Sequence, residues 1–221
     1  MMKLFSVICA ALVSFGTPAA WAQDIKGDAK AGEGIAAMCI GCHGIKGYQA
    51  SFPEVYRVPM ISGQSAKYIV AALNAYKKGD RRHPTMRAIS ESLTDQNMAD
   101  LAAFYSEHGL PGGKSVASKD PRPASAAVTA LLAKANCASC HGANFSSPID
   151  PSYPKIGGQH ADYLFVALKA YKKDANQVVG RNNAIMAGFA KQYSNAELKQ
   201  IANYLASIEG DLKVVPQSRF R

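Results

Sequence analysis

Past its first 22 residues, the chain has no cysteine outside two five-residue segments. Cys9 falls in the leader, and the other four cysteines are Cys39, Cys42, Cys137 and Cys140. Nothing is left over for a disulfide framework, so a small disulfide-stapled fold is excluded. Beyond the leader no run is apolar enough to span a bilayer, so the mature chain is expected to have no transmembrane anchor. The net charge is +9, yet there is no Lys/Arg run and no basic amphipathic stripe. That lack speaks against nucleic-acid binding, which needs clustered positive charge. The period-2 alternation of half-buried strands is also missing, which leaves an all-α fold.

The leader itself reads as a signal peptide. Lys3 gives a positive start, Leu4 to Phe15 is an apolar run of about 12 residues, and Ala20-Trp21-Ala22 is a small-x-small cleavage site. A run of that length is too short to cross a membrane comfortably, and it lacks the Arg/Ser-rich amphipathic character of a mitochondrial presequence. The mature chain is expected to begin at Gln23 and to be exported, in a bacterium to the periplasm. Removing Lys3 leaves +8, unevenly spread. Residues 23–118 carry 11 basic and 9 acidic side chains, and residues 119–221 carry 13 and 7. A more basic second half suits an acidic docking surface on a partner, although a solvated surface explains the same excess.

The cysteines that are present carry the chemistry. Cys39-Ile40-Gly41-Cys42-His43 and Cys137-Ala138-Ser139-Cys140-His141 are two copies of C-x-x-C-H, the attachment signature of a covalent c-type haem. Two thiols on one turn can add to the two vinyl groups along one porphyrin edge, and the following His lies where its imidazole can bind the iron. A redox dithiol needs no His at that place. A zinc site shared by the two cysteine pairs would have to bridge the 94 residues between Cys42 and Cys137, far beyond zinc-ribbon spacing. The expected cofactors are therefore two haem c groups with iron.

The motifs belong to a repeat of nearly 100 residues. They align at an offset of 98, Pro59-Met60-Ile61-Ser62-Gly63-Gln64 aligns with Pro154-Lys155-Ile156-Gly157-Gly158-Gln159 at 95, and Arg81 and Met86 align with Arg181 and Met186 at 100. A long unit present twice indicates two homologous domains rather than a solenoid. The reading is a signal peptide at 1–22, one domain at 23–108, a Gly/Pro/Ser-rich linker at 109–123 and a second domain at 124–221. Helices are expected at 28–38, 65–78 and from Thr94 in the first domain, and at about 125–136, 160–173 and 195–208 in the second. Ser194-x-x-Glu197 is a capping box for the last of these. Units of about 90 residues are small for a self-sufficient core, and a buried haem supplies an apolar centre.

The second axial position decides whether such a haem carries electrons or binds reactants. Five methionines follow the leader, and only Met86 and Met186 share a repeat position. They are assigned with His43 and His141 as axial ligands, because Met is the usual filler in cytochromes c. His83 competes with Met86, but its repeat counterpart is Asn183. His108 ends a helix, where an imidazolium suits the dipole. Pro59 and Pro154 can accept a hydrogen bond from the ligand imidazole through their carbonyls. Arg81 and Arg181 could hold haem propionates bidentately, or be solvated loop charges.

Two C-x-x-C-H domains, each with P-x-I-x-G-Q-x-x-x-Y and R-x-x-x-x-M, resemble the dihaem cytochrome c4 family over essentially the whole mature chain. The resemblance implies two tandem class I cytochrome c folds about a pseudo-twofold axis, each wrapped around a covalent haem. It implies an electron-transfer protein rather than an enzyme, taking electrons from a cytochrome bc complex toward a terminal oxidase, with peripheral association with membrane complexes. The alternative is a cytochrome subunit of a periplasmic dehydrogenase or sulfide-oxidising flavocytochrome. The two methionine loops differ, RRHPTM against RNNAIM, so the two haem environments are unequal.

Overall fold

The computed structural model describes residues 25–172 and 178–216. The signal peptide and Lys173 lie outside the described residues. In chain order the elements are α1 (Ala29–Ile35), α2 (Ala37–His43), β1 (Gln49–Ala50), β2 (Tyr56–Arg57), α3 (Ala66–Lys78), β3 (Arg81–Arg82), α4 (Pro84–Glu91), α5 (Asp95–Glu107), a 3₁₀ turn at Pro111–Gly113, α6 (Ala126–Lys134), α7 (Cys137–His141), α8 (Ala161–Lys172), β4 (Gly180–Arg181), α9 (Ala184–Ala190) and α10 (Asn195–Ala206). The fold is all-α in its layers, since each described strand is two residues long.

Local chemistry sets the helix starts. The Asp28 side chain accepts from Lys30 and Ala31 N–H and opens α1. Thr94 and Asn97 form a capping box on α5, and Ser194 and Glu197 form another on α10, as the second pair's spacing predicts. The expected helix at 28–38 is two helices, because the chain breaks at Ala36 before the haem motif. Two helices were not foreseen. α4 opens with His83 as N-cap and Pro84 at its first position, and α9 opens with Asn183 as N-cap. Neither start carries the Ser/Thr…Glu pattern.

Each half packs its own core. In the first, Ile40, Ile69, Leu73, Met98, Leu101, Ala102 and Tyr105 cluster, with Cys39 and Met86 packed against them. In the second, Phe145, Leu164, Leu198, Ile201, Ala202 and Leu205 cluster, with Cys137 packed against them. Met98 and its repeat counterpart Leu198 are among the most completely buried side chains. The first and last helices of the first half cross closely. A Cβ at Gly32 would sit 2.1 Å from the Asp100 carbonyl oxygen, so only glycine allows α1 so near α5.

The two halves meet through repeat-equivalent parts. β3 pairs antiparallel with β4, with Arg81 opposite Arg181. Asp162 accepts from the Arg57 side chain (Nε, 3.0 Å) and backbone, Lys169 pairs with Glu54 at 2.6 Å, and the Ser65 hydroxyl donates to the Pro151 carbonyl. The linker is pinned by the fully buried Asp211, which accepts from Ser115 Oγ and from Val116 and Ala117 N–H. Asp211 also pairs with Lys155 at 2.7 Å. Past α10 the chain then crosses back, where Lys213 bridges to Ser62. Lys213 and Val215 thus pack on the first half, although they belong to the second in sequence.

Candidate haem sites

Each C-x-x-C-H lies on its own short helix, α2 and α7. The two thiols of each pair stand three residues apart, about one turn, and so project from one side. All four cysteines are free and half-buried. Burial pushes the Cys39 thiol up to about 11. Among the described residues no group of three or more His, Cys, Asp or Glu converges on a common centre, so the two cysteine pairs do not build a shared zinc site.

Both motif histidines are held by one nitrogen. His43 Nδ1 lies 2.7 Å from the Pro59 carbonyl oxygen and His141 Nδ1 lies 3.0 Å from that of Pro154. A carbonyl can only accept, so each Nδ1 carries the proton and each Nε2 keeps its lone pair for a metal. Burial lowers the pKa of both histidines, against the raising effect of these carbonyl bonds. Both are neutral imidazoles, the form that ligates iron.

The methionines expected opposite them sit on equivalent helices. Met86 is half-buried against the first core, and Met186 is half-buried on α9. Each is fixed by the same device, its backbone N–H donating to the N-cap side chain three residues back. The acceptor is His83 Nδ1 at 3.4 Å in one half and Asn183 Oδ1 at 2.9 Å in the other. His83 is thereby placed as the cap of the methionine helix. Of the other methionines, Met98 is core and Met38 is exposed.

Arg81 and Arg181 are not solvated loop charges. They lie at the domain interface among tyrosines. Arg81 donates to Tyr68 Oη (3.1 Å) and Tyr163 Oη (2.6 Å), and Arg181 donates to Tyr163 Oη (3.0 Å) and Tyr171 Oη (3.3 Å). Burial alone would raise the Tyr163 phenol, but the two guanidiniums outweigh it and bring the phenol down to about 8. A cavity of about 50 Å³ opens here, with Tyr56, Tyr76, Arg81, His83, Tyr163 and Arg181 in its wall.

These residues fit haem. The imidazoles present a free Nε2, the thiols are paired on one helical turn, and the buried Arg81 Nε is without a hydrogen-bond partner among the described residues. An unmet guanidinium donor beside the interface is the complement of a carboxylate such as a haem propionate. Sequence reasoning missed two kinds of residue. The tyrosines around the arginines were not singled out as partners of the arginines, although Tyr68 and Tyr163 recur in the repeat. Gln64 and Gln159 also recur, but nothing local to the sequence shows that they reach across the interface. His108 differs from expectation. Burial lowers its pKa, and it bonds Ser62 Oγ at 2.9 Å and stacks on Phe104, so it is a neutral packed side chain and not a helix-end cation.

A sequence profile of the cytochrome c family matches residues 29–107 and 125–209. Cytochrome c4 of Azotobacter vinelandii is 30% identical over 197 residues, covering 82% of this chain and 90% of that protein. A thiosulfate dehydrogenase electron acceptor of Stutzerimonas stutzeri strain A1501 is 27% identical over 207 residues, covering 91% of this chain and 92% of its own. The crystal structure of reduced recombinant cytochrome c4 from Pseudomonas stutzeri superposes with a TM-score of 0.59 at 26% identity, covering 83% of this chain and all of that one. Two matched domains, two haem motifs and a shared two-domain fold place the chain in the cytochrome c family and, within it, among the dihaem cytochromes c4, electron-transfer proteins that bind two haem c groups.

Proposed function

We propose that this cytochrome relays electrons in a periplasmic respiratory chain, from a cytochrome bc complex toward a terminal oxidase. The observation that carries the proposal is the join between the two sites. The halves are hydrogen-bonded through backbone pairing, an Arg/Tyr cluster and buried side chains, so both redox centres belong to one continuous body. In this reading Cys39 and Cys42 anchor the first haem and Cys137 and Cys140 the second. His43 with Met86, and His141 with Met186, would bind the two irons. When bound, each haem supplies a reversible one-electron couple at iron. The chain's own residues do the rest. Pro59 and Pro154 orient the imidazoles, His83 and Asn183 fix the methionine helices, and Arg81 and Arg181 offer charge to the propionates. With Met86 and Met186 bound, neither iron would keep a place for a reactant.

A second reading is favoured by the similarity to a thiosulfate dehydrogenase electron acceptor. Here the donor is a periplasmic dehydrogenase and not a bc-type complex. Stopped-flow reduction separates the two. The purified holoprotein is mixed either with a quinol-reduced bc-type complex or with a thiosulfate-reduced dehydrogenase from the same organism. Fast reduction by the first and passage to an oxidase support the respiratory route. Fast reduction by the dehydrogenase alone replaces it with the second reading.

A further inference from the structure

Each haem histidine is wired, through a single peptide bond, to a glutamine in the opposite domain. The Pro59–Met60 peptide accepts from His43 Nδ1 on its carbonyl (2.7 Å), while its N–H, that of Met60, donates to Gln159 Oε1 (3.0 Å). Gln159 Nε2 returns a bond to the Met60 carbonyl at 2.9 Å. The mirror arrangement holds in the other half. The Pro154–Lys155 peptide accepts from His141 Nδ1 (3.0 Å), and its Lys155 N–H donates to Gln64 Oε1 (2.9 Å). Gln64 Nε2 donates to the Lys155 carbonyl at 3.0 Å.

The carboxamide orientations are fixed. Gln64 Oε1 also accepts Ser65 N–H and Gln159 Oε1 also accepts His160 N–H, so turning either amide would set NH₂ against two donors. Both glutamines are 4% exposed, which keeps water from substituting freely for them.

A peptide bond is a resonant unit, so a hydrogen bond to its N–H moves electron density onto its carbonyl oxygen. Hydrogen bonds in such a chain strengthen one another by roughly 10–30% each. A stronger carbonyl acceptor draws harder on the Nδ1 proton and raises the basicity of the imidazole as a ligand. A more basic ligand favours the ferric state and lowers the potential.

We propose that Gln64 and Gln159 are crossed tuning residues. Gln159, in the second domain, sets the basicity of His43 in the first, and Gln64, in the first domain, sets that of His141 in the second. The inference rests on His43 and His141 being the iron ligands proposed above. It makes each haem a sensor of domain docking, since parting the domains removes the glutamine from both peptides together.

Redox titration of the holoprotein resolves the two haems, and reduced-state NMR assigns them. Gln159→Met removes the amide at nearly constant size. It is expected to raise the potential of the His43 haem by a roughly threefold change in its redox equilibrium, about 28 mV at 59 mV per tenfold, and to move the His43 Nδ1 proton resonance to higher field. The His141 haem stays put. Gln64→Met gives the reverse pattern. Gln159→Glu keeps an oxygen for Met60 N–H, so the His43 haem stays at or below its wild-type potential, and this variant decides the matter if Gln159→Met folds poorly. A purely structural role moves both haems together, or moves the methionine and glutamate variants the same way, and either result overturns the proposal. The wild-type spectrum tests the ligand reading separately. Without a His/Met signature that reading falls, and the tuning inference falls with it.

Discussion

Arg81 and Arg181 are register partners in the two-residue ladder that joins the halves, and both guanidiniums donate to one phenol oxygen, that of Tyr163. Two like charges are held together by a shared acceptor. Tyr163→Phe removes the acceptor and leaves the repulsion. Hydrogen bonds to charged groups are worth about 1.5–3 kcal/mol each. The variant is expected to lose about 2–3 kcal/mol of stability, read as a lower midpoint in denaturant at unchanged haem content. An unchanged midpoint would mean that the propionates alone hold both arginines.

Retention of two haems is the most direct test of the cysteine assignment. Mass spectrometry of the denatured protein is expected to show two covalent haems. Replacing Cys137 and Cys140 together with alanine is expected to leave one, on the first domain. A wild-type mass with a single haem would remove one motif from the assignment.

Met86→Ala and Met186→Ala test the second axial position. A weak near-infrared band from methionine bound to ferric iron is expected to fall by part in each variant and to vanish in the double variant. Each single variant is expected to bind carbon monoxide at one haem and to show one lowered potential. If Met86→Ala leaves the spectrum intact, His83 becomes the candidate in that half.

Asp211 gives the protein an acid-sensitive strap. Burial acts to raise its carboxyl, but the bonds from Lys155, Ser115 and Val116 outweigh burial and hold it below the usual range. A carboxyl whose folded pKa is depressed adds stability that is complete above its unfolded value of about 3.9 and is lost as pH falls through the folded one. Asp211→Asn strands the Lys155 ammonium and is expected to cost about 3 kcal/mol at neutral pH. It is also expected to flatten the acid side of the stability profile. Urea titrations at several pH values check both outcomes.

Docking charge is narrower than the sequence alone suggests. Lys169 is tied to Glu54 of the first domain, and Lys172 donates to the Tyr193 carbonyl, so both serve the fold. Lys191 and Lys199 are the better test of steering. Electron transfer to an acidic partner is expected to slow as ionic strength rises, and reversing both charges is expected to slow it several-fold at low salt. A rate flat with salt would mean apolar docking.

The sequence made the haem attachment legible because thioether chemistry needs a fixed local spacing, and the repeat filtered five methionines to the proposed pair, Met86 and Met186. Pro59 and Pro154 were reachable by the same filter. The starts of α4 and α9 were not, since His83 and Asn183 act as caps without the usual downstream glutamate. The interface was the least legible part. Gln64, Gln159, Tyr163 and the arginines act on residues some 80 to 100 positions away, and no local pattern encodes a partner that far along the chain. His108 was misjudged for a related reason. A helix end suggests a cation, but the stacking on Phe104 and the bond to Ser62 depend on tertiary burial.

The strapped linker and the self-facing seam together describe a homodimer folded into one polypeptide. Arg81 meets Arg181, and the glutamine of each half grips the same repeat position of the other, Met60 or Lys155, which is how an isologous twofold contact is built between identical subunits. Once such subunits are fused, partner choice no longer depends on concentration. The tether supplies it, at an effective local concentration in the millimolar range or above. Substitutions on the seam are then constrained as pairs across the axis, and the connecting segment is constrained as well where Ser115, Val116 and Ala117 bond Asp211. Outward faces of the two halves are released from symmetry, so one can come to suit a donor and the other an acceptor.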